Sequence, residues 1–173
     1  MRVKGGDIEM SQSVQQKLDL VDQNKQEMDQ YLDVIIPRGG KSLIERVSKE
    51  SRVHVIKHLD GICHTYIEKS ADKKISCDVA VNAKMRRPGI CGATETILLH
   101  EKIIKKLGNS ILKNLEKSGC KIIGDDKIRK FYKGKVKKAT IKDWSKEYLS
   151  SIVSVKSVKN INEAIDHINR YGT

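Results

Sequence analysis

The stretch EKIIKKLGNSILKNLEKSG, residues 101–119, constrains the fold more than any other. Ile103, Ile104, Leu107, Ile111, Leu112 and Leu115 recur at helical spacing, so one face of a helix is apolar and the other charged. Gly119 stands where a left-handed residue closes a helix. Such a helix needs an apolar surface to cover. The runs on either side, TILL (96–99) and CKII (120–123), have the length of buried strands.

The alternation extends in both directions. LDVII (32–36) reads as a strand, PRGGKS breaks it, and LIERVSKES reads as a helix with Leu43, Ile44 and Val47 on one face. VHVI (53–56) and CHTYIE (63–68) read as strands with HLDG turning between them. SADKKISCDVAVNAKMR carries Ile75, Val79 and Asn82 or Ala83 at helical spacing, with Ser70 or Asp72 as cap. DDKIRKFYKG is a short helix or turn, VKKATI a strand, and SIVSVKSV (151–158) a strand by alternation. NINEAIDHINRYG closes as a helix with Asn160 as N-cap, Glu163 three residues on, and Ile161, Ala164, Ile165 and Ile168 facing in. Strands alternating with helices define an α/β fold with a largely parallel sheet flanked by helices. An aromatic content of 4% leaves Ile, Leu and Val to build its core.

Composition excludes several classes. No run approaches the roughly 20 apolar residues of a membrane helix. The opening MRVKGGDIEM has no hydrophobic signal region, so a soluble cytoplasmic protein is expected. Residues 1–30, with Gln at 12, 15, 16, 23, 26 and 30, read as a poorly anchored arm. The cysteines at 63, 77, 91 and 120 form no CxxC pair and fit no common zinc spacing, so four thiols and no metal are expected. The net charge of +12 raises nucleic acid as a partner, and residues 101–142 hold 14 Lys/Arg against 4 Asp/Glu. The basic residues are 26 Lys and only 8 Arg, with few aromatics between them. Base reading favours Arg and base stacking favours aromatics, so a solvated lysine face is the preferred reading.

Two stretches carry possible chemistry. In IIPRGGKS a strand meets Gly39 and Gly40 and a helix begins near Ser42. Glycines there allow positive φ and close approach, and free N–H groups at a helix start accept a phosphate; a plain strand-to-helix turn fits equally well. In RRPGICGATET, Gly89 and Gly92 let the chain bend around Cys91, whose N–H is then available to an oxyanion. Arg86 and Arg87, with Lys84 nearby, supply positive charge that favours a thiolate or holds an anionic substrate. A small buried thiol is the alternative. In HLDGICH, Cys63 and His64 are strand neighbours and point to opposite faces, which argues against a joint metal site.

YLDVIIPRGGKSLI, KHLDGICHTYIEKSAD, VNAKMRRPGICGATETILLH, SGCKIIGD and AIDHINRYGT together resemble the gamma-glutamyl phosphate reductases, or glutamate-5-semialdehyde dehydrogenases. These are the proline-biosynthesis branch of the aldehyde dehydrogenase superfamily. The match runs in order from about residue 18 to 173. The resemblance implies an NADP-dependent oxidoreductase that reduces L-glutamyl 5-phosphate, a small acyl phosphate, to glutamate 5-semialdehyde with release of phosphate. Cys91 matches the catalytic cysteine: it would attack the acyl carbon, and hydride from NADPH would reduce the thioacyl group. Gly39, Gly40 and Ser42 match the turn near the cofactor phosphates. His58 falls where hydrolytic relatives carry a water-activating glutamate, a departure that suits a reductase. Lys84, Arg86 and Arg87 are the candidates for holding the acyl phosphate or the substrate α-carboxylate.

The implied division is an arm or remnant at 1–30, a strip of cofactor-binding domain at 31–52, a catalytic domain at 53–159, and a helix at 160–173 leading toward the rest of the cofactor domain. Family members are more than twice this long. The portion that builds most of the dinucleotide site, and the upstream Asn that donates a second oxyanion hydrogen bond, have no counterpart here. VKGGDIEMSQSV faintly resembles a Gly-Gly-Ser-Glu stretch of that missing portion. A truncated member is expected. Three readings stay open: the reductase; a relative without turnover that acts as a subunit or binding piece, in a homo-oligomer or with a complementing cofactor-domain chain; and a basic nucleic-acid-binding module.

Overall fold

The structure is a computed structural model that describes residues 31–58 and 60–173, and the chain divides between residues 59 and 60 into two units. The arm expected over residues 1–30 lies outside the described residues. Among the described residues no helix is long and apolar enough to cross a membrane.

In the first unit, β1 (Val34–Ile35) pairs in parallel with β2 (His54–Val55), and α1 (Lys41–Glu50) connects them. Gly40 is the N-cap of α1, and its carbonyl accepts from the N–H groups of Leu43 (3.0 Å) and Ile44 (3.1 Å). Ile44 is the buried residue of α1; Leu43, expected beside it, is exposed. β2, the strand expected at the start of the catalytic domain, pairs with β1 within the first unit.

The second unit is a five-stranded parallel sheet in the order β3-β4-β7-β5-β6. Its strands are β3 (Cys63–Ile67), β4 (Thr94–His100), β5 (Lys121–Gly124), β6 (Val136–Lys138) and β7 (Ile152–Val158). The helices between them are α2 (Lys73–Met85), α3 (Asn109–Lys117), α4 (Asp126–Phe131), the short α5 (Ile141–Trp144) and α6 (Ile161–Tyr171). Every residue of β4 is buried. This follows from its place: strands on both sides pair it, and helices cover both faces. On one face Ile97 and Leu99 of β4 join Ile67, Val153 and Val155 under α2, α3 and α4. On the other, Leu98 and Val158 meet Ala164 of α6.

The helix expected over 101–119 begins tighter, then looser. A 3₁₀ turn at Glu101–Ile103 and a π turn at Ile104–Gly108 precede α3. Its apolar face is the expected one: Ile104, Leu107, Ile111, Leu112 and Leu115 are buried. Gly119, at φ 83°, closes it, and the Cys120 N–H donates to the Leu115 carbonyl. Of the two caps considered for α2, Asp72 is the one used, accepting from the Ile75 N–H at 2.9 Å. Asn160 caps α6 in the same way through the Glu163 N–H.

Two helix faces differ from expectation. Ile75 and Val79 of α2 are 64% and 49% exposed, and the inward residues are Ser76, Cys77, Ala80 and Lys84. In α6, Ile161 and Ile165 are exposed while Ala164 and His167 are buried. Both helices turn inward a mix of small residues and one long polar side chain, Lys84 or His167, each with a partner inside, and the larger aliphatic residues fall outside. The strand expected over 136–141 ends at Lys138. There Thr140 and Asp143 form a reciprocal capping box that starts α5.

Candidate active site

The loop of residues 86–93 joins α2 to β4 by two successive turns. The Ile90 N–H donates to the Arg87 carbonyl (3.4 Å), and the Ala93 N–H to the Ile90 carbonyl (3.0 Å). Pro88 follows Arg87 at the position where its fixed φ suits a turn, and Gly92 follows Cys91 in the second turn. The N–H groups of Cys91 and Gly92 are not used by either turn. Cys91 is exposed and its thiol free.

The floor under Cys91 is the start of β3. A Cβ at Gly61 would fall on the Cys91 carbonyl oxygen and lie 2.8 Å from its Cα, so only glycine fits this approach. Two residues on, the Cys63 thiol donates to the same carbonyl at 3.3 Å. Burial pushes the Cys63 thiol up, and the nearby Cys91, Glu95 and Glu147 add to the effect. Cys77 and Cys120 are buried, and burial drives Cys120 up to about 11. Cys91 is therefore the one exposed thiol of the four.

The cations divide. Arg86 and Arg87 are exposed at the loop's entry, and among the described residues neither guanidinium has a partner. Lys84 is different from what its charge suggested. It is fully buried, and its ammonium sits 2.6 Å from the Glu95 carboxylate, itself fully buried. A buried ammonium held by its own counter-ion is spent on structure and does not present itself to a substrate, which removes Lys84 from the expected anion-holding set. Burial pushes the Glu95 carboxyl up, opposed by the hydrogen bond and charge of Lys84 and by the backbone of Tyr148 and Leu149. Lys84 lies in the last turn of α2 and Glu95 is the second residue of β4, so the pair ties together the two stems of the loop.

The glycine turn of the first unit has a different geometry from the one its composition suggested. Gly40 has φ −69°, and among the described residues the left-handed glycine is Gly119. A Cβ at Gly39 would meet Leu43 Cδ2 at 2.7 Å, a contact the exposed Leu43 side chain can relieve by moving; Gly40 faces open space. Ser42 is exposed in the first turn of α1, and His58 is exposed as well.

Sequence reading missed Gly61, Glu95 and Glu147. Glu95 had a signal, an acid inside a strongly apolar run, which demands a buried partner. Gly61 and Glu147 had none, because they meet 86 positions apart, where the Gly61 N–H donates to Glu147 Oε1 at 2.9 Å.

No family model matches the chain. Among curated proteins it is 51% identical over 141 residues to the gamma-glutamyl phosphate reductase of Rhodospirillum rubrum, covering 82% of this chain and 33% of that protein. The crystal structure of gamma-glutamyl phosphate reductase from Thermotoga maritima superposes with a TM-score of 0.77 at 43% identity, over 83% of this chain and 34% of that one. A betaine aldehyde dehydrogenase from Staphylococcus aureus, solved with NAD⁺, shares the fold at 17% identity and a TM-score of 0.59, over 80% of this chain and 37% of that one. The chain spans about a third of the length of the curated relatives it matches.

Proposed function

We propose, from the premise that this chain belongs with the gamma-glutamyl phosphate reductases, that it carries the acyl-transfer half of an NADPH-dependent reduction of L-glutamyl 5-phosphate to L-glutamate 5-semialdehyde. The observation that carries the reading is the Cys91 loop: an exposed thiol, with two backbone N–H groups beside it and two guanidiniums at the loop's entry that have no partner among the described residues. The Cys91 sulfur attacks the acyl carbon, the carbon–oxygen bond to phosphate breaks, and phosphate leaves with the electron pair. The Cys91 N–H is the donor for the oxygen that becomes negative in this step, an effect worth roughly 3–4 kcal/mol per donor in comparable sites. Arg86 and Arg87 hold the leaving phosphate or the substrate α-carboxylate. Gly39, Gly40 and Ser42 are assigned to a phosphate of NADPH, which when bound supplies the hydride that takes the thioester to the aldehyde level.

Incubation with L-glutamyl 5-phosphate, read by intact-mass spectrometry, tests the transfer. A glutamyl adduct is expected on the native chain and absent from Cys91→Ser; an adduct that persists in the variant removes Cys91 from the mechanism. Iodoacetamide is expected to alkylate Cys91 first, Cys63 more slowly, and Cys77 and Cys120 last, because exposure falls in that order. Equal rates at all four would show that the loop does not single out its thiol.

A second reading, a chain that binds another copy or a complementing cofactor-domain chain without turnover, is favoured by the outward aliphatic residues Ile75, Val79, Ile161 and Ile165. NADPH titration separates the two. Saturable binding below millimolar supports the reductase, and none at millimolar supports the binding role.

A further inference from the structure

The Cys91 loop closes a ring of contacts whose members lie far apart in sequence. From Lys84 the ring passes to Glu95 Oε2 (2.6 Å), and from Glu95 Oε1 to the Leu149 N–H (3.4 Å). Two residues before Leu149, the Glu147 carboxylate takes the Gly61 N–H, and Gly61 lies directly against the Cys91 backbone. Cys91 returns the ring to Lys84 through its own loop.

The segment that carries Glu147 is itself fixed. Asp143 accepts from the Thr140 N–H (2.7 Å) and hydroxyl (2.6 Å). The Tyr148 hydroxyl donates to Asp143 Oδ1 (3.0 Å) and lies 2.9 Å from Ser154 Oγ on β7. Leu149 has φ 48°, a left-handed conformation that is unfavourable for a residue with a side chain and persists only where surroundings hold it. That conformation lets the Leu149 N–H reach Glu95 while Gly89 of the Cys91 loop passes close to the Leu149 carbonyl, where an added Cβ would stand 3.8 Å from the oxygen. Strain at Leu149, a dry ion pair at Glu95 and a glycine-only contact at Gly61 all converge on one loop.

We propose that Glu147 is a positioning residue for the Cys91 nucleophile, acting through the Gly61 N–H. Its carboxylate oxygen sets how far the start of β3 stands from Cys91, and so where the Cys91 N–H and sulfur meet an acyl group. Glu147 is half-exposed and has no other partner among the described residues, so its role is geometric. The inference rests on the reading of Cys91 as the acylated thiol.

The test compares Glu147→Ala with Glu147→Gln in the full chain. Glutamine keeps an oxygen for the Gly61 N–H; alanine does not. Glu147→Ala is expected to slow acylation of Cys91 by L-glutamyl 5-phosphate about ten- to a hundred-fold, the penalty of an ångström-scale misplacement. Iodoacetamide alkylation of Cys91 and the melting temperature should stay near native, because the thiol remains exposed and the site is at the surface. Glu147→Gln should acylate within a few-fold of native. Amide exchange at Gly61, followed by NMR on glycine-labelled chain, should quicken in the alanine variant alone. Native acylation by Glu147→Ala overturns the inference, as does equal slowing in both variants, which would assign the effect to charge. A native chain that is never acylated overturns the reading of Cys91 instead. In that case unchanged exchange at Gly61 in Glu147→Ala would overturn the contact as well, and quickened exchange would uphold it.

Discussion

The two faces of the five-stranded sheet handle buried polarity in opposite ways. Under α2, α3 and α4 the face is a continuous aliphatic cluster, and its one pair of buried charges, Lys84 and Glu95, is matched within the chain. Under α5 and α6 the apolar cluster shrinks to Leu98, Val158 and Ala164, with Tyr66 and Ile168 at its margin. Around it gather rings: His167 stands 5.5 Å from Trp144, 5.3 Å from His64 and 4.6 Å from Tyr171. His64 Nε2, Tyr66 OH and His167 Nε2 are buried there without a hydrogen-bond partner among the described residues. His64 Nδ1 lies 2.8 Å from the Ile62 carbonyl and His167 Nδ1 lies 3.1 Å from Lys156 Nζ. The first contact makes Nδ1 of His64 the protonated nitrogen, and the second leaves Nε2 of His167 as the donor. One face has its polar groups neutralised in place, and the other holds them neutral by desolvation.

The largest expected effect breaks the matched pair. Lys84→Met leaves Glu95 buried and unpaired, and should cost roughly 3–5 kcal/mol in chemical denaturation. Adding Glu95→Met should restore most of it. A single-variant loss under about 1 kcal/mol would mean the pair is not dry and the contrast between faces is false.

Next comes packing. Leu112→Ala should cost roughly 2–5 kcal/mol, the range for a fully buried leucine. Ile168→Ala, on the thinner face, should cost no more than half as much. Equal losses would erase the difference in core depth.

The smallest effect, counted over a single pH unit, is on the pH dependence of stability. Burial, with the charge of Lys156 and the neighbouring His64, lowers His167 to about 3. Its folded value lies below the unfolded one near 6.5, so between these values the unfolded chain binds the proton the folded chain refuses. Stability should therefore be level above pH 6.5, fall by up to roughly 1.4 kcal/mol per unit as pH drops, and level off near 3. His64, lowered by burial against the pull of the Ile62 carbonyl, acts in the same direction. His167→Asn should flatten this slope, and a slope unchanged in the variant would place the proton elsewhere.

What could be read in the sequence depended on whether its signal was local. The apolar face of 104–115, the caps Asp72 and Asn160, and the closing Gly119 are written within one or two helical turns, and the structure has all of them. α2 and α6 were misread because spacing arguments follow the largest aliphatic side chains, while these helices bury Ala80, Ala164, Lys84 and His167. Glu95 was placed outside its strand because a charge seldom sits in a buried run without a partner, and its partner lies 11 residues back. Cys91 was legible from the glycines and arginines around it. Gly61 and Glu147 were not, because the two lie 86 positions apart and meet only in the folded chain.

The strand order has a consequence for how the chain reaches this state. β7, the last strand of the sheet in sequence, lies between β4 and β5. During synthesis, β3 with β4 and β5 with β6 can form only as two separate ribbons with a gap where Ile152–Val158 will go. The inner edges of both stay open until that segment leaves the ribosome. An all-parallel sheet closed by a late central strand folds slowly, since its decisive contacts join distant residues. The nascent chain thus carries two bare strand edges, in β4 and β5, until residues 152–158 have emerged, and these are where a chaperone or a second nascent chain would first take hold.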